Sequence, residues 1–193
     1  MSAHLCARSP EPAASAASAR RLLCVALAGA TLALAACAPE LDWRELTLPD
    51  GRFSVLLPCK PQRETRMLNT AARALTMTMY ACALEHGTMA VAYTDVPAAA
   101  LSTERLRAQV DAARDALLRN IGAGARTEGE VGVAGLPGRQ VYAEGLAGGK
   151  AVLLKARFVV AGGRIYQIAY VGARDAVGMA DIDLFLASFK LQS

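Results

Sequence analysis

Histidine is scarce in this sequence of 193 residues, and the usual motifs of catalytic and redox sites are missing. Only His4 and His86 occur, and the chain has neither a Gly-x-Ser-x-Gly nor a Cys-x-x-Cys motif. His86 could act as a base for Ser54 or Ser102, but a single histidine next to the turn residue Gly87 is usually exposed and unreactive. We therefore expect that the protein is not an enzyme and has no catalytic residue.

Positive charge is too sparse to indicate a nucleic-acid partner. The formal net charge is +4, and it falls to +2 when the first 36 residues are left out. The arginines of the remaining chain are spread along it without a dense run, whereas a nucleic-acid surface needs a concentrated basic patch. We interpret these charges as a solvated surface and expect no nucleic acid as a partner.

Two glycine-rich stretches fall short of phosphate-binding motifs. Residues 122–124, GAG, begin like a dinucleotide fingerprint, but they follow a predicted helix, and Thr127 stands at the third glycine position. Residues 145–150, GLAGGK, have one residue too few between the glycines of a P-loop, and Ala151 replaces the residue that would bind magnesium. We interpret the first stretch as a helix stop and the second as a flexible hairpin loop.

Few side chains are grouped as metal ligands would be. Glu128 and Glu130 share one face of a predicted strand, but calcium takes about six to eight oxygen ligands, and no further cluster is near. Met77, Met79 and Met89 lie in two adjacent predicted strands and could bind copper(I). Methionines at such positions more often fill the core. We expect no metal and no cofactor.

No apolar run reaches the roughly 20 residues that a membrane-spanning helix needs. The longest one covers residues 22–38 and is rich in alanine, which contributes little to membrane insertion. Arg20 and Arg21 precede it, and small residues lie at its end. Two cations, a short apolar run and small residues before a cut are the parts of a secretory signal peptide.

The residues at 34–37, Leu-Ala-Ala-Cys, resemble the lipobox of bacterial lipoproteins. The resemblance implies that the sulfur of Cys37 carries a diacylglyceryl group and that residues 1–36 are removed. Each buried methylene stabilises membrane attachment by about 0.8 kcal/mol, so two or three acyl chains hold the protein permanently. Ala38, rather than aspartate, after the cysteine favours the outer membrane by analogy with known lipoproteins. We expect a lipid-anchored protein of the bacterial cell envelope, on the periplasmic face of that membrane.

The predicted mature chain contains one ordinary domain. Residues 1–19 are low in complexity and are interpreted as an extended n-region or the result of a start codon assigned too early, so they are left out of the fold prediction. Residues 37–48 are interpreted as the lipidated N-terminus and tether, and residues 49–193 as a single domain. This length is sufficient for a substantial hydrophobic core.

Two cysteines remain in the predicted mature domain, Cys59 and Cys82. Beyond the inner membrane the compartment is oxidising, and an even number of cysteines there favours a disulfide. Two buried free thiols are the alternative. A redox or metal pair is less favoured, because the chain has no Cys-x-x-Cys motif and its one mature histidine is His86.

Hydrophobic periodicity predicts an α+β fold. Alternating patterns predict strands at residues 52–57, 62–68, 75–82, 88–94, 128–133, 139–144, 150–160 and 165–171. Short turn signals between neighbouring strands favour hairpins and antiparallel pairing. An amphipathic helix is predicted to follow the N-cap Ser102, with apolar residues every three or four positions up to Ile121. A second helix is predicted from Asp175 to Ala187. We therefore expect an antiparallel β-sheet flanked by two helices.

Four segments carry a resemblance to a known family: residues 50–61 (DGRFSVLLPCKP), 89–97 (MAVAYTDVP), 135–145 (GLPGRQVYAEG) and 183–191 (DLFLASFKL). They are similar to the Mog1/PsbP-like domains of bacterial lipoproteins and photosystem accessory proteins. The resemblance implies an antiparallel sheet flanked by helices and a binding or assembly role, and it assigns no active-site residue. Cys59 stands where glycine is common in that opening motif, which fits a bridge to Cys82.

Two functions are compatible with these features. We expect a non-enzymatic, lipid-anchored envelope protein that binds another envelope protein as an assembly module. The alternative is a carrier of a small apolar ligand held between the sheet and the long helix. A large exposed apolar patch would favour the protein partner, and an apolar pocket wider than packing voids would favour the carrier.

Overall fold

The computed structural model describes residues 41–69, 74–97 and 102–192, and within them the chain is an α+β domain. The predicted signal peptide, residues 1–36, and Cys37 lie outside the described residues. The helices are α1 (Thr103–Asn120) and α2 (Met179–Ala187). The strands are β1 (Arg44–Leu48), β2 (Phe53–Leu57), β3 (Gln62–Asn69), β4 (Ala74–Leu84), β5 (Gly87–Asp95), β6 (Arg126–Val133), β7 (Leu136–Ala147), β8 (Lys150–Ala161), β9 (Arg164–Gly172) and β10 (Lys190–Leu191).

Seven strands form one antiparallel sheet in the order β3-β4-β5-β9-β8-β7-β6. The predicted hairpins β4–β5 and β8–β9 are present, and β5 pairs with β9 so that the two halves of the chain meet in the middle of the sheet. The loop at Gly148 and Gly149 is a hairpin turn with φ values of 58° and 78°, as expected for two glycines between paired strands.

The second sheet has three strands in the order β1-β2-β10. Its strand β1 corrects the interpretation of residues 37–48 as a tether, because Arg44–Leu48 pairs with β2 along its whole length. Leu46 and Leu48 pack against the core, and this packing adds the strand to the domain. Strand β10 is too short to show a periodic pattern.

Helix α2 begins later than the sequence predicts, at Met179 rather than near Asp175. The chain first turns at Ala173, whose carbonyl oxygen accepts a hydrogen bond from the N–H three residues later at 3.3 Å. Gly178 then takes an extended conformation as the N-cap, and Asp181 supplies the carboxylate in the first turn. A carboxylate there complements the helix dipole. The cap predicted at Asp175 is wrong, because Gly178 is the N-cap and no side chain among the described residues caps the helix.

One face of the large sheet packs on the small sheet and on α2. Phe53 of β2 is fully buried at the centre of an aromatic cluster on this face. Its ring lies 5.5–6.4 Å from the rings of Tyr80, Tyr93, Tyr166 and Phe189. Most of these contacts are edge-on, the geometry that favours aromatic pairs.

The opposite face of the large sheet carries α1. Residues on β7, β8 and β9 that point to this face form a second core with the end of the helix. Its buried members are Leu118, Ile121, Val141, Ala143, Leu154, Ala156, Phe158 and Ala169. Both cores lie within Leu41–Ser193, a compact unit of the chain, so this unit has the contacts of an independently folding domain.

Helix α1 is fixed at both ends. The Ser102 hydroxyl accepts a hydrogen bond from the backbone N–H of Arg105 at 3.4 Å, which confirms the predicted N-cap. At the other end, the backbone N–H of Leu146 donates to the Ile121 carbonyl at 2.6 Å. Gly145 permits this approach, because a Cβ atom there would lie 2.1 Å from the same carbonyl oxygen.

Cys59 and Cys82 form a disulfide, as the sequence predicts, with their Cα atoms 5.8 Å apart. Cys59 lies just after β2 of the small sheet, and Cys82 lies in β4 of the large sheet. The bridge therefore links the segment that leaves the small sheet covalently to the large sheet. Cys82 is fully buried in the aromatic core. The free-thiol alternative does not hold in this structure.

Candidate ligand-binding groove

The residues considered for catalysis have different surroundings. His86 is exposed at the β4–β5 turn, where its Nε2 lies 3.5 Å from Glu85. Ser54 is buried in β2, and Ser102 caps α1. Within the described parts of the chain, no hydrogen bond joins either serine to His86. Neither Ser54 nor Ser102 is therefore paired with His86 as a nucleophile with its base.

Glu128, one of the two glutamates that could bind a cation by their sequence pattern, is paired with arginine side chains instead. Arg114 of α1 contacts Asp111 at 2.8 Å, Asp115 at 2.8 Å and Glu128 at 3.1 Å. Burial alone would lower the pKa of Arg114, but the Asp115 hydrogen bond and the Glu128 charge raise it above its usual value. Arg139 of β7 also pairs with Asp111 at 3.0 Å. These contacts connect α1 to β6 and β7. Among the described residues, no group of three or more His, Cys, Asp or Glu side chains could hold a metal ion.

The three methionines do not converge. Met89 of β5 faces Cys82 in the pairing with β4, whereas Met79 pairs with Ala92. Since side chains alternate along a strand, Met89 lies on one face of the sheet and Met77 and Met79 lie on the other. A copper(I) site built from all three is excluded by this register.

The candidate site is a groove between one flank of α1 and the part of the large sheet formed by β3, β4, β5 and β9. This α1 groove has a volume of about 430 Å³ and is open to the surface. Its lining residues are Met67, Leu68, Leu75, Thr94, Gln109, Ala112, Ala113, Ala116, Arg119 and Ile165. The volume lies within the usual range for small-molecule sites, about 300–1,000 Å³.

Small residues on α1 create the space. Ala112 and Ala116 are four positions apart and therefore lie above one another on one side of the helix, with Ala113 beside them. On the opposite wall, Leu68 of β3 and Leu75 of β4 are directly paired. An alanine side chain extends little beyond the helix backbone, so a gap remains between α1 and the two leucines. The result is an apolar trench that runs along α1.

The groove continues to the middle of the sheet. Thr94 of β5 and Ile165 of β9 are paired neighbours and complete the lining. Met67 lies at the rim, and its side chain is 63% exposed. An exposed methionine beside an apolar trench is adaptable in shape, because its side chain is unbranched.

Two polar side chains belong to the groove. The Oε1 atom of Gln109 is buried and has no hydrogen-bond partner in the structure. Such an atom loses its hydration without compensation, which costs about 1–3 kcal/mol. Arg119, in the last turn of α1, is exposed and forms no ion pair with the described residues. The groove therefore offers a buried acceptor and a rim cation next to apolar walls.

A second cleft lies on the other side of α1 and is less suited to an apolar ligand. Its volume is about 320 Å³, and Leu106, Val110 and Phe158 form its apolar part. The Asp111–Arg139 ion pair crosses it and keeps charged groups in contact. Burial of an apolar molecule there would remove water from a paired charge.

Sequence reasoning offered a ligand between the sheet and the long helix as an alternative but did not identify the residues that line the α1 groove, although one signal was present. The predicted apolar stripe of α1 runs through Leu106, Val110 and Leu117. Alanines at 112 and 116 lie beside it, on a helix flank that is neither apolar core nor charged surface. A flank of small residues next to a core stripe leaves room for a ligand, but the opposing wall comes from strands distant in the sequence.

The fold is PsbP-like. Its helices and antiparallel sheet are similar to the solution structure of cyanobacterial PsbP (CyanoP) from Synechocystis sp. PCC 6803, with a TM-score of 0.51. The similarity covers 81% of this chain and 95% of that chain at 11% sequence identity, and at this identity it shows the fold alone. No protein-family model and no curated protein sequence matches the chain. The PsbP-like part of the expected resemblance is thus confirmed.

The described residues contain no helix with the length and hydrophobicity needed to cross a membrane.

Proposed function

We propose that this chain is a non-enzymatic binding protein of the bacterial cell envelope, lipid-anchored through Cys37, and that its α1 groove binds a small apolar ligand. The observation that supports the ligand is the trench itself, which lies between the sheet and the long helix. Its walls are apolar, its volume of about 430 Å³ exceeds a packing void, and its one buried acceptor lacks a partner. A ligand with an apolar body would remove water from these walls.

Ala116→Phe tests the groove. The phenyl ring would occupy the trench from the helix side, so the affinity for an apolar probe is expected to fall by about tenfold or more. The measurement is displacement of a fluorescent fatty acid, 11-(dansylamino)undecanoic acid, from the chain 38–193, which includes all described elements. Dodecanol is the competing ligand.

Ala108→Phe is the matched control, because Ala108 is exposed on the same helix and does not line the groove. It makes the same substitution at a similar cost in helix propensity. We expect wild-type affinity from this variant. Equal affinities for wild type and Ala116→Phe, with circular dichroism unchanged, would contradict a ligand in the groove.

A protein partner is supported by a different feature. Strand β6 is the last strand of the large sheet, most of its residues are exposed, and one side of its backbone is unpaired. A partner strand could add to this edge by main-chain hydrogen bonds. Gly129→Lys would place a charge on the edge, and a Cβ atom there has open space. Loss of crosslinked envelope proteins in this variant alone, with groove binding intact, would favour the assembly role.

The lipid anchor is tested at Cys37. Cys37→Ser removes the sulfur that would carry the lipid, so the variant is expected to remain an unprocessed precursor that takes up no labelled fatty acid. Mass spectrometry of the amino terminus and labelling with palmitate are the measurements. If the variant is processed and labelled like the wild type, the lipoprotein proposal is wrong.

A further inference from the structure

We infer that the ligand of the α1 groove is a single-chain anionic amphiphile, with its apolar chain in the trench and its carboxylate or phosphate head on Arg119. This inference rests on the proposed function of the groove and specifies the class of ligand. It goes beyond an apolar ligand because it assigns a role to a charged residue that forms no ion pair within the described parts of the chain.

The position of Arg119 suits an amphiphile. Gln109, Ala112, Ala116 and Arg119 follow one flank of α1, so the trench has apolar walls along the helix and a cation near one end. Gln109 and Arg119 are ten residues apart, which is about 15 Å along a helix axis. A chain of that extent would lie along the alanines while its head reaches the guanidinium at the rim.

Whether Arg119 has an ion-pair partner depends on the neighbouring charged side chains of α1. Asp115 is four residues before Arg119, the spacing at which a helix pairs opposite charges. That carboxylate is taken by Arg114, whose Nε and one terminal nitrogen donate to it at 2.9 and 2.8 Å. Arg114 is largely buried, so this pairing belongs to the contact between α1 and β6. Among the residues that the structure describes, Arg119 therefore has no acidic partner, and its charge is available to a ligand.

The chemistry of the guanidinium selects the head group. Arginine presents a planar set of N–H donors that matches the two oxygens of a carboxylate or a phosphate. The negative end of the helix dipole lies nearby and opposes an anion, but it amounts to about half a charge, against the full charge of Arg119. Net attraction of an anion to this end of the groove follows.

Gln109 adds a second polar contact inside the trench. Its amide has a buried oxygen without a partner, and the amide can rotate to present nitrogen instead. A hydroxyl or amide group along the chain of the ligand would satisfy it. An unsubstituted chain would leave it unpaired, so hydroxylated chains should bind better than plain ones.

The test compares ligands that share a chain and differ in the head. Dodecanoate, dodecyl phosphate and dodecanol compete with the dansyl fatty acid for the chain 38–193, and acetate and inorganic phosphate serve as heads without a chain. We expect dodecanoate or dodecyl phosphate to bind at least about tenfold more tightly than dodecanol, and the heads alone to bind undetectably. Which of the two anions binds better identifies the source as a fatty acid or a phospholipid fragment.

Arg119→Gln should erase this preference by weakening the anions about tenfold while dodecanol stays unchanged. Arg119→Lys keeps the charge and should retain part of the preference. Arg107→Gln, on the same helix outside this groove, should behave like the wild type. Equal binding of dodecanoate and dodecanol by the wild type, or an unchanged preference in Arg119→Gln, would overturn the inference.

The two proposals fail differently. If dodecanol and dodecanoate bind equally and Ala116→Phe weakens both, the groove binds apolar ligands and only the anionic class is wrong. If no chain-bearing ligand binds to the folded wild type, the proposed function of the groove is wrong, and the inference falls with it.

Discussion

Phe53→Ala is expected to lower the free energy of unfolding by about 3–5 kcal/mol, the usual cost of removing a buried aromatic ring. Phe53 is fully buried and, together with Val55 and Leu57, packs β2 against the large sheet. The substitution removes ring contacts to Tyr80, Tyr93, Tyr166 and Phe189 and leaves a cavity among side chains that cannot all move inwards. Urea unfolding followed by circular dichroism is the measurement.

Leu184→Ala is a suitable control for Phe53→Ala. Leu184 is 45% exposed on α2, so its loss should change stability by no more than about 0.5–1 kcal/mol. If Phe53→Ala destabilises the domain no more than Leu184→Ala does, the small sheet is not held by this aromatic cluster.

Replacing both cysteines, in Cys59→Ala with Cys82→Ala, is expected to cost about 3 kcal/mol. The bridge closes a loop with a sequence separation of 23, and the chain-entropy model gives this value for a loop of such length. Unfolding of the wild type in the presence of a reductant should show a similar loss. The reductant should have no effect on the double variant, which serves as the control.

The disulfide itself can be tested without a variant. The wild type should migrate differently with and without reductant and should have no titratable thiol in the chain 38–193 before reduction. Two reactive thiols and unchanged mobility would contradict the bridge between Cys59 and Cys82.

The elements with a clear period could be predicted from the sequence. The β4–β5 and β8–β9 hairpins have alternating patterns and short turns, and α1 has a capping serine and an apolar stripe. Strand β10 is only two residues long and has no period. Strand β1 is marginal by itself, and its pairing with β2 depends on Leu46 and Leu48 reaching a core that forms from distant parts of the chain.

The residues that line the groove could not be predicted because its walls are joined by long-range pairing. Thr94 and Ile165 are neighbours only because β5 and β9 pair across the centre of the sheet. Asp115 pairs with Arg114, and Arg114 also contacts Glu128 in β6, a strand beyond the helix. A spacing of four residues on a helix would by itself also allow Asp115 to pair with Arg119.

Trp43 is the only tryptophan of the chain, and it packs next to β1 against the aromatic core. The α1 groove opens on the other face of the seven-stranded sheet. Intrinsic indole emission should therefore monitor detachment of the small sheet, and occupancy of the trench by a ligand without a chromophore, such as dodecanoate, should leave it unchanged. Tryptophan emission and ligand titration therefore report on different faces of the sheet. A variant that disrupts the packing on one face can be recognised while the other face remains intact.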